Sequence, residues 1–134
     1  MLTQIEQQLC DTAISVRLNA YAPYSNFKVG AAILDNFDNI HLGTNVENAS
    51  YPQGTCAEAG AISMMIASGG TKIKIIAVSG AGEHLCTPCG GCRQRIREFA
   101  DLKTNILICT DLEFRKRFTL DALMPESFGP NNLA

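Results

Sequence analysis

Two short segments, far apart in the chain, constrain the fold most. Cys56-Ala57-Glu58 and Pro88-Cys89-Gly90-Gly91-Cys92 each stand where turn-rich sequence gives way to a helical pattern. A Cys-x-x-Cys pair at a loop-to-helix junction puts two sulfurs on one metal, and a third cysteine at another helix start completes one face of a tetrahedron. Zinc suits this donor set, because thiolates bind it at about 2.3 Å and three protein ligands leave the fourth position open. The helix dipoles favour thiolate over thiol at both starts. A fold for this chain has to bring the two helix starts together.

The hydrophobic pattern supplies elements that can do so. Ile5, Leu9, Ala13, Val16 and Ala20 recur at helical spacing over residues 3–19. Thr3 followed by Glu6 reads as the capped start of that helix. Tyr21-Ala22-Pro23-Tyr24-Ser25 is a loop, because Pro23 disfavours helix at the residue before it. Residues 27–34 and 40–45 flank the polar turn Asp35-Asn36-Phe37-Asp38-Asn39, the pattern of a β-hairpin. A helical pattern over residues 54–68 ends at Gly69-Gly70. Residues 73–78 form an apolar run of the kind found in strands covered on both faces, residues 91–99 a further helix, and residues 105–109 and 114–118 two more strands. Strands alternating with helices in the second half imply parallel pairing, whereas the opening hairpin is antiparallel. The expected fold is α/β: a three-layer α-β-α sandwich around a mixed, roughly five-stranded sheet.

Chain length and charge narrow the function. The 134 residues suit one domain with its own core, and residues 1–134 are expected to form that single domain. Eleven lysines and arginines against 13 acids give a net charge of −2. That balance lacks the basic face of a nucleic-acid-binding domain and favours a small neutral ligand. No run approaches the roughly 18 apolar residues that span a bilayer. Acid and amide residues interrupt the first ten positions, where a signal peptide would be basic and then apolar. A cytoplasmic protein is expected, and its six cysteines are then thiols or metal ligands in preference to disulfides. Cys10 and Cys109 fall in apolar helix and strand patterns and read as ordinary buried thiols.

Glu58 gives the metal site a chemical purpose. Two residues past Cys56, in the first turn of a helix, its carboxylate can approach a water on the metal without ligating the metal. Beside such a water, acidified by zinc, a carboxylate can accept a proton and pass it on. The rival reading is a structural zinc site, which needs a fourth protein ligand. Cys86 is the candidate, but the chain changes direction between it and Cys89, at Thr87-Pro88.

With these residues in view, the sequence closely resembles the small homotetrameric cytidine deaminases. The resemblance runs through Tyr21-Ala22-Pro23-Tyr24-Ser25, Phe27-x-Val29-Gly30-Ala31-Ala32, Asn45-Val46-Glu47-Asn48-Ala49-Ser50-Tyr51, Cys56-Ala57-Glu58, Pro88-Cys89-Gly90-Gly91-Cys92-Arg93-Gln94 and Leu123-Met124-Pro125-x-x-Phe128. Zinc deaminases share a His/Cys-x-Glu element followed by Pro-Cys-x-x-Cys, with the Glu as proton carrier. The resemblance implies hydrolytic deamination of cytidine and deoxycytidine in pyrimidine salvage, one Zn²⁺ per chain on Cys56, Cys89 and Cys92, and Glu58 as proton shuttle. It further implies that Asn45 and Glu47 grip the ribose hydroxyls, that Phe27 lines the pyrimidine pocket, and that the backbone at Ala57 meets the base. Phe128 is implied to reach a neighbouring subunit's site in a homotetramer. Deamination of another aminopyrimidine, such as blasticidin S, is the nearer alternative, and a non-catalytic zinc-binding module the more distant one. One position departs from the pattern. Many tetrameric members carry Arg directly after the catalytic Glu, where this chain has Ala59, and Arg93 is the residue expected to offset the thiolate charge instead.

Overall fold

The computed structural model describes residues 1–134. Helix α1 spans Gln4–Arg17, and its start is set by a complete capping box. The Thr3 hydroxyl accepts the Glu6 amide at 3.2 Å, and the Glu6 carboxylate accepts the Thr3 amide at 2.9 Å. Strands β1 (Val29–Asp35) and β2 (Ile40–Thr44) form the expected hairpin. Asp35 closes its turn, accepting the amides of Phe37 and Asn39 and, at 2.7 Å, the ring nitrogen of buried His41. A 3-10 turn at Tyr51–Gln53 leads into α2 (Ala57–Ala67). Strand β3 (Ile73–Gly80), helix α3 (Gly90–Phe99), and strands β4 (Ala100–Cys109) and β5 (Phe114–Thr119) follow. A short helix, α4 (Leu120–Leu123), and a 3-10 turn at Pro130–Asn132 complete the chain.

The sheet order is β2-β1-β3-β4-β5, and only β3 and β4 pair in parallel. Strand alternation divides the apolar side chains between two faces. Ala32, Leu34, Ala77 and Leu107 pack against Leu9, Cys10 and Ala13 of α1. Ala31, Ile33, Ile76, Val78, Ile106 and Ile108 face the other way, toward Ala57, Ala61 and Met65 of α2 and Ile96 of α3. The result is the expected three-layer sandwich with a mixed five-stranded sheet. Sequence pattern and structure differ at β4, which starts five residues early. Residues 101–103 are exposed and polar enough to hide the strand, and its register with β3 shifts between Ile73 and Ile75.

Strand direction explains where the chemistry gathers. Strands β2 and β3 both run antiparallel to β1, on either side of it. Their C-terminal ends and the start of β1 therefore share one edge of the sheet: Val29 pairs with Gly80, and Gly30 with Thr44. The loops that launch α2 and α3 leave from that edge, so Phe27, Asn45, Cys56 and Cys89 converge there although they are far apart in sequence.

Gly43 sets how closely α2 approaches. A Cβ at this position would stand 2.1 Å from the Ala57 carbonyl oxygen and 2.4 Å from the Ala61 amide nitrogen. Neither backbone atom can move without shifting the first turn of α2. Gly43→Ala is therefore expected to cost about 1–3 kcal/mol of stability through overpacking, read as a lower urea midpoint. Zinc retention should weaken with it, because Cys56 rides on the displaced turn. A variant as stable as the parent would contradict this close approach.

Candidate active site

Cys56 and Cys89 are the N-cap residues of α2 and α3, and Cys92 lies in the first turn of α3. Their sulfurs all lie within 4.8 Å of one another, and this is the one cluster of its kind able to hold a metal ion. Tetrahedral zinc with 2.3 Å bonds needs sulfur–sulfur edges of about 3.8 Å. The site thus requires a contraction of about 1 Å at most, within reach of side-chain rotation alone. Backbone amides of Cys92 and Gly91 hold the Cys89 thiol below its ordinary pKa. Burial, then the nearby Glu58 carboxylate, pushes Cys92 well above it. A dication reverses that second penalty by neutralising the thiolate it binds. The donor set, its spacing and its helix-start positions fit zinc.

Neither Cys86 nor Glu58 belongs to the cluster. Cys86 lines the same cavity, and its thiol is pushed up to about 11 by burial and by the Glu58 charge. That environment suits a neutral thiol. Glu58 is 5 % exposed. Burial raises its pKa, and its own backbone amide, the Cys92 thiol and the charge of Arg95 pull it only partly back. A carboxyl shifted upward holds and releases a proton closer to neutral pH than an ordinary glutamate does.

One cavity of about 220 Å³ joins Cys56, Ala57, Glu58, Cys89 and Cys92 to Phe27, Val29, Asn45, Cys86 and Thr87. It is smaller than the sites that enclose drug-sized ligands, and is sized for a flat ring. Glu47 faces a separate hollow of about 310 Å³ with Tyr24, Ser25, Asn48, Tyr51 and Gly54. Its carboxylate accepts the Tyr24 and Ser25 amides at 2.8 and 3.1 Å, and the Ser25 hydroxyl as well. Those bonds, led by the Ser25 hydroxyl, hold it below the usual carboxylate range. Asn45 is fixed at both ends of its amide, accepting from the Val29 amide and donating to the Phe27 carbonyl, each at 2.8 Å. One lone pair and one N–H remain free for a ligand. A larger hollow of about 880 Å³ runs along α1, but it gathers glutamines, threonines and a single carboxylate, Asp11, and none of the cysteines.

Besides Glu47, two of the residues named from sequence stand outside the cysteine-lined cavity. Phe128 is 56 % exposed and lies outside its own chain's cavity, in a hollow with Gln94, Glu98, Gly129, Pro130 and Leu133. Arg93 donates to the carbonyls of Pro88 and Leu123 at 2.7 and 2.6 Å and to the Thr87 hydroxyl at 3.3 Å. It ties the Cys89 loop to the C-terminal segment. The guanidinium that reaches a cluster sulfur is that of Arg95, 3.7 Å from Cys92 Sγ. Sequence reading passed over it, although three residues beyond Cys92 on a helix is a neighbouring position.

Three thiols placed to hold a metal and a buried carboxylate beside them, on a mixed α-β-α sandwich, are the features of a metal-dependent hydrolytic enzyme. The chain belongs to the cytidine and deoxycytidylate deaminase family, whose zinc-binding region matches residues 3–108. It is 38 % identical over 110 residues to a cytidine deaminase of Mycoplasma genitalium, covering 81 % of this chain and 84 % of that one. It is 35 % identical over 127 residues to a cytidine deaminase of Halalkalibacterium halodurans, covering 95 % and 96 %. The crystal structure of a cytidine deaminase from Burkholderia pseudomallei superposes with a TM-score of 0.84 at 36 % identity, over 95 % of this chain and all of that one.

Cysteine substitutions should separate the roles. Cys86→Ser is expected to retain one zinc per chain in metal analysis, and Cys89→Ala to lose it. A chain that loses its metal with Cys86 would have a four-cysteine structural site.

Proposed function

We propose that this chain catalyses the hydrolytic deamination of cytidine and deoxycytidine to uridine or deoxyuridine and ammonia, in pyrimidine salvage. One observation carries the reading: three metal-ready thiols, a buried glutamate, an aromatic side chain and a half-free amide line a single ring-sized cavity. The family membership and the names of its relatives support the same substrate class.

Cys56, Cys89 and Cys92 would hold one Zn²⁺. When bound, zinc supplies a Lewis acid at its open position, able to lower the pKa of a water from 15.7 to about 7. Glu58 takes the proton of the attacking water and delivers it to N3 of the ring as oxygen adds at C4. Glu58 then carries a second proton to the amino group, which leaves as ammonia. Phe27 packs on the pyrimidine, and the backbone at Ala57 meets its polar edge. The remaining lone pair and N–H of Asn45, with the Glu47 carboxylate in the adjoining hollow, receive the sugar hydroxyls. That pair favours cytidine and deoxycytidine over blasticidin S or a free base. Arg93, through its three bonds, keeps the Cys89 loop in position.

The 134 residues work as one domain, and the enzyme is a cytoplasmic homotetramer in which Phe128 completes a neighbour's site. Its exposure and its place outside its own cavity support this. So does the outward face of α2, where the exposed Ser63, Met64, Ile66 and Ala67 carry no charge. No helix is long and apolar enough to cross a membrane, and all six cysteines are free.

Glu58→Gln tests the proton role. It should retain zinc and lose at least about 10²–10⁴-fold in turnover; near-normal turnover would remove Glu58 from the mechanism. The raised pKa gives the same variant a second expected effect. Ionised Glu58 disfavours the folded state. That penalty is complete above the folded-state pKa and vanishes as pH falls below the unfolded value of about 4.3. Zinc-free Glu58→Gln should therefore unfold at higher urea than the zinc-free parent at neutral pH, and lose that advantage in acid. A panel of cytidine, deoxycytidine, cytosine and blasticidin S, followed by ammonia release, should show turnover of the two nucleosides. Exclusive turnover of either of the others would overturn the substrate assignment.

A further inference from the structure

A metal held by three thiolates carries an unbalanced charge. Zn²⁺ with three cysteine thiolates sums to −1, and ionised Glu58 beside them brings the half-buried cluster to −2. Burying net charge without a compensating cation or hydrogen bonds is costly. The starts of α2 and α3 each contribute roughly half a positive charge, which leaves about one negative charge to be met by a side chain.

Helix α2 offers none, since Ala57–Ala67 contains no lysine or arginine. Helix α3 carries three arginines, and two are committed elsewhere. Arg93 spends its guanidinium on the Pro88 and Leu123 carbonyls and the Thr87 hydroxyl. Arg97 donates to the Ser127 hydroxyl at 2.9 Å and packs against Gly129. Arg95 alone turns to sulfur, its Nη1 lying 3.7 Å from Cys92 Sγ. The path is short, because helical side chains lean toward the N-terminus and onto the residue one turn earlier. It is also kept clear: a Cβ on Gly91 would stand 3.3 Å from Arg95 Nη1 and press on the guanidinium.

We propose that Arg95 is the charge-balancing residue of the zinc site, donating a hydrogen bond to Cys92 Sγ that stabilises the metal-bound thiolate set. This rests on the zinc reading of the cysteine cluster. Sharing the thiolate's electrons with a cationic donor weakens its donation to the metal, so the site remains a useful Lewis acid despite its three sulfur ligands. Arg95 does not line the ring-sized cavity. Its loss should therefore show in metal affinity and in kcat, with KM for cytidine little changed. It is a positioning residue for the ligands and does not contact the substrate.

The test measures zinc affinity at fixed pH for the parent, R95Q and R95K, by competition with a chromophoric chelator. It also measures kcat and KM on the zinc-saturated proteins. R95Q is expected to bind zinc about 10- to 100-fold more weakly and to turn over cytidine more slowly at unchanged KM. R95K keeps the charge and should recover most of the affinity. R115Q removes one positive charge from exposed β5, away from the site, and should match the parent in both measurements. Parental zinc affinity in R95Q, or equal losses in R95Q and R95K, would overturn the assignment. An equal loss in R115Q would reduce it to bulk charge and overturn it as well. A parent chain that binds no zinc would instead sink the zinc reading itself, and the inference with it.

Discussion

The meeting of two helix N-termini on three thiols is the constraint around which this molecule is arranged. Each helix start brings unsatisfied amides and a partial positive charge, so a thiolate is better placed there than anywhere else on a helix. Bringing two such starts together needs two strands that run the same way and end at the same edge. Strands β2 and β3 meet that requirement because each pairs antiparallel with β1 between them. The same arrangement brings the start of β1, with Phe27 and Val29, to the edge where the metal would sit. Gly43, allowing α2 to rest nearly on the strand backbone, fixes the depth at which Cys56 and Glu58 enter.

Glu58 gains its chemical value from an unfavourable placement. A carboxylate that was exposed, or fully hydrogen-bonded in its charged form, would be a weak proton acceptor at neutral pH. Here burial outweighs the groups that favour the anion, and the fold bears the cost. Glu47 is the contrasting case. Its bonds to the Ser25 hydroxyl and two amides favour the charged form, which leaves it a hydrogen-bond acceptor that does not exchange protons near neutral pH.

Much of this was legible in the sequence, and what was missed has identifiable causes. The first helix announced itself through its 3.6-residue period and the Thr3–Glu6 cap, and the hairpin through a polar turn between apolar runs. Cysteine spacing together with Glu58 pointed to an open metal site, which the sulfur geometry fits. The start of β4 was hidden because Asp101, Leu102 and Lys103 are exposed and carry no apolar alternation. The short α4 is held by Leu120, buried in the core, a tertiary contact with no local signature. Arginine assignments failed to follow from proximity in sequence. Arg93 adjoins a ligand yet is drawn to the Pro88 carbonyl and to the Leu123 carbonyl thirty residues away, whereas Arg95 reaches sulfur because a helical turn, not the next position, brings side chains together.

The proposed chemistry requires one metal per chain, used in catalysis. Its most direct test is a zinc titration of metal-free protein, with cytidine deamination followed by ultraviolet absorbance at each addition. Turnover should be absent without metal, rise linearly with zinc, and break at one equivalent per chain. Full turnover in protein shown to be free of metal, or zinc bound at one equivalent with no deamination, would contradict it.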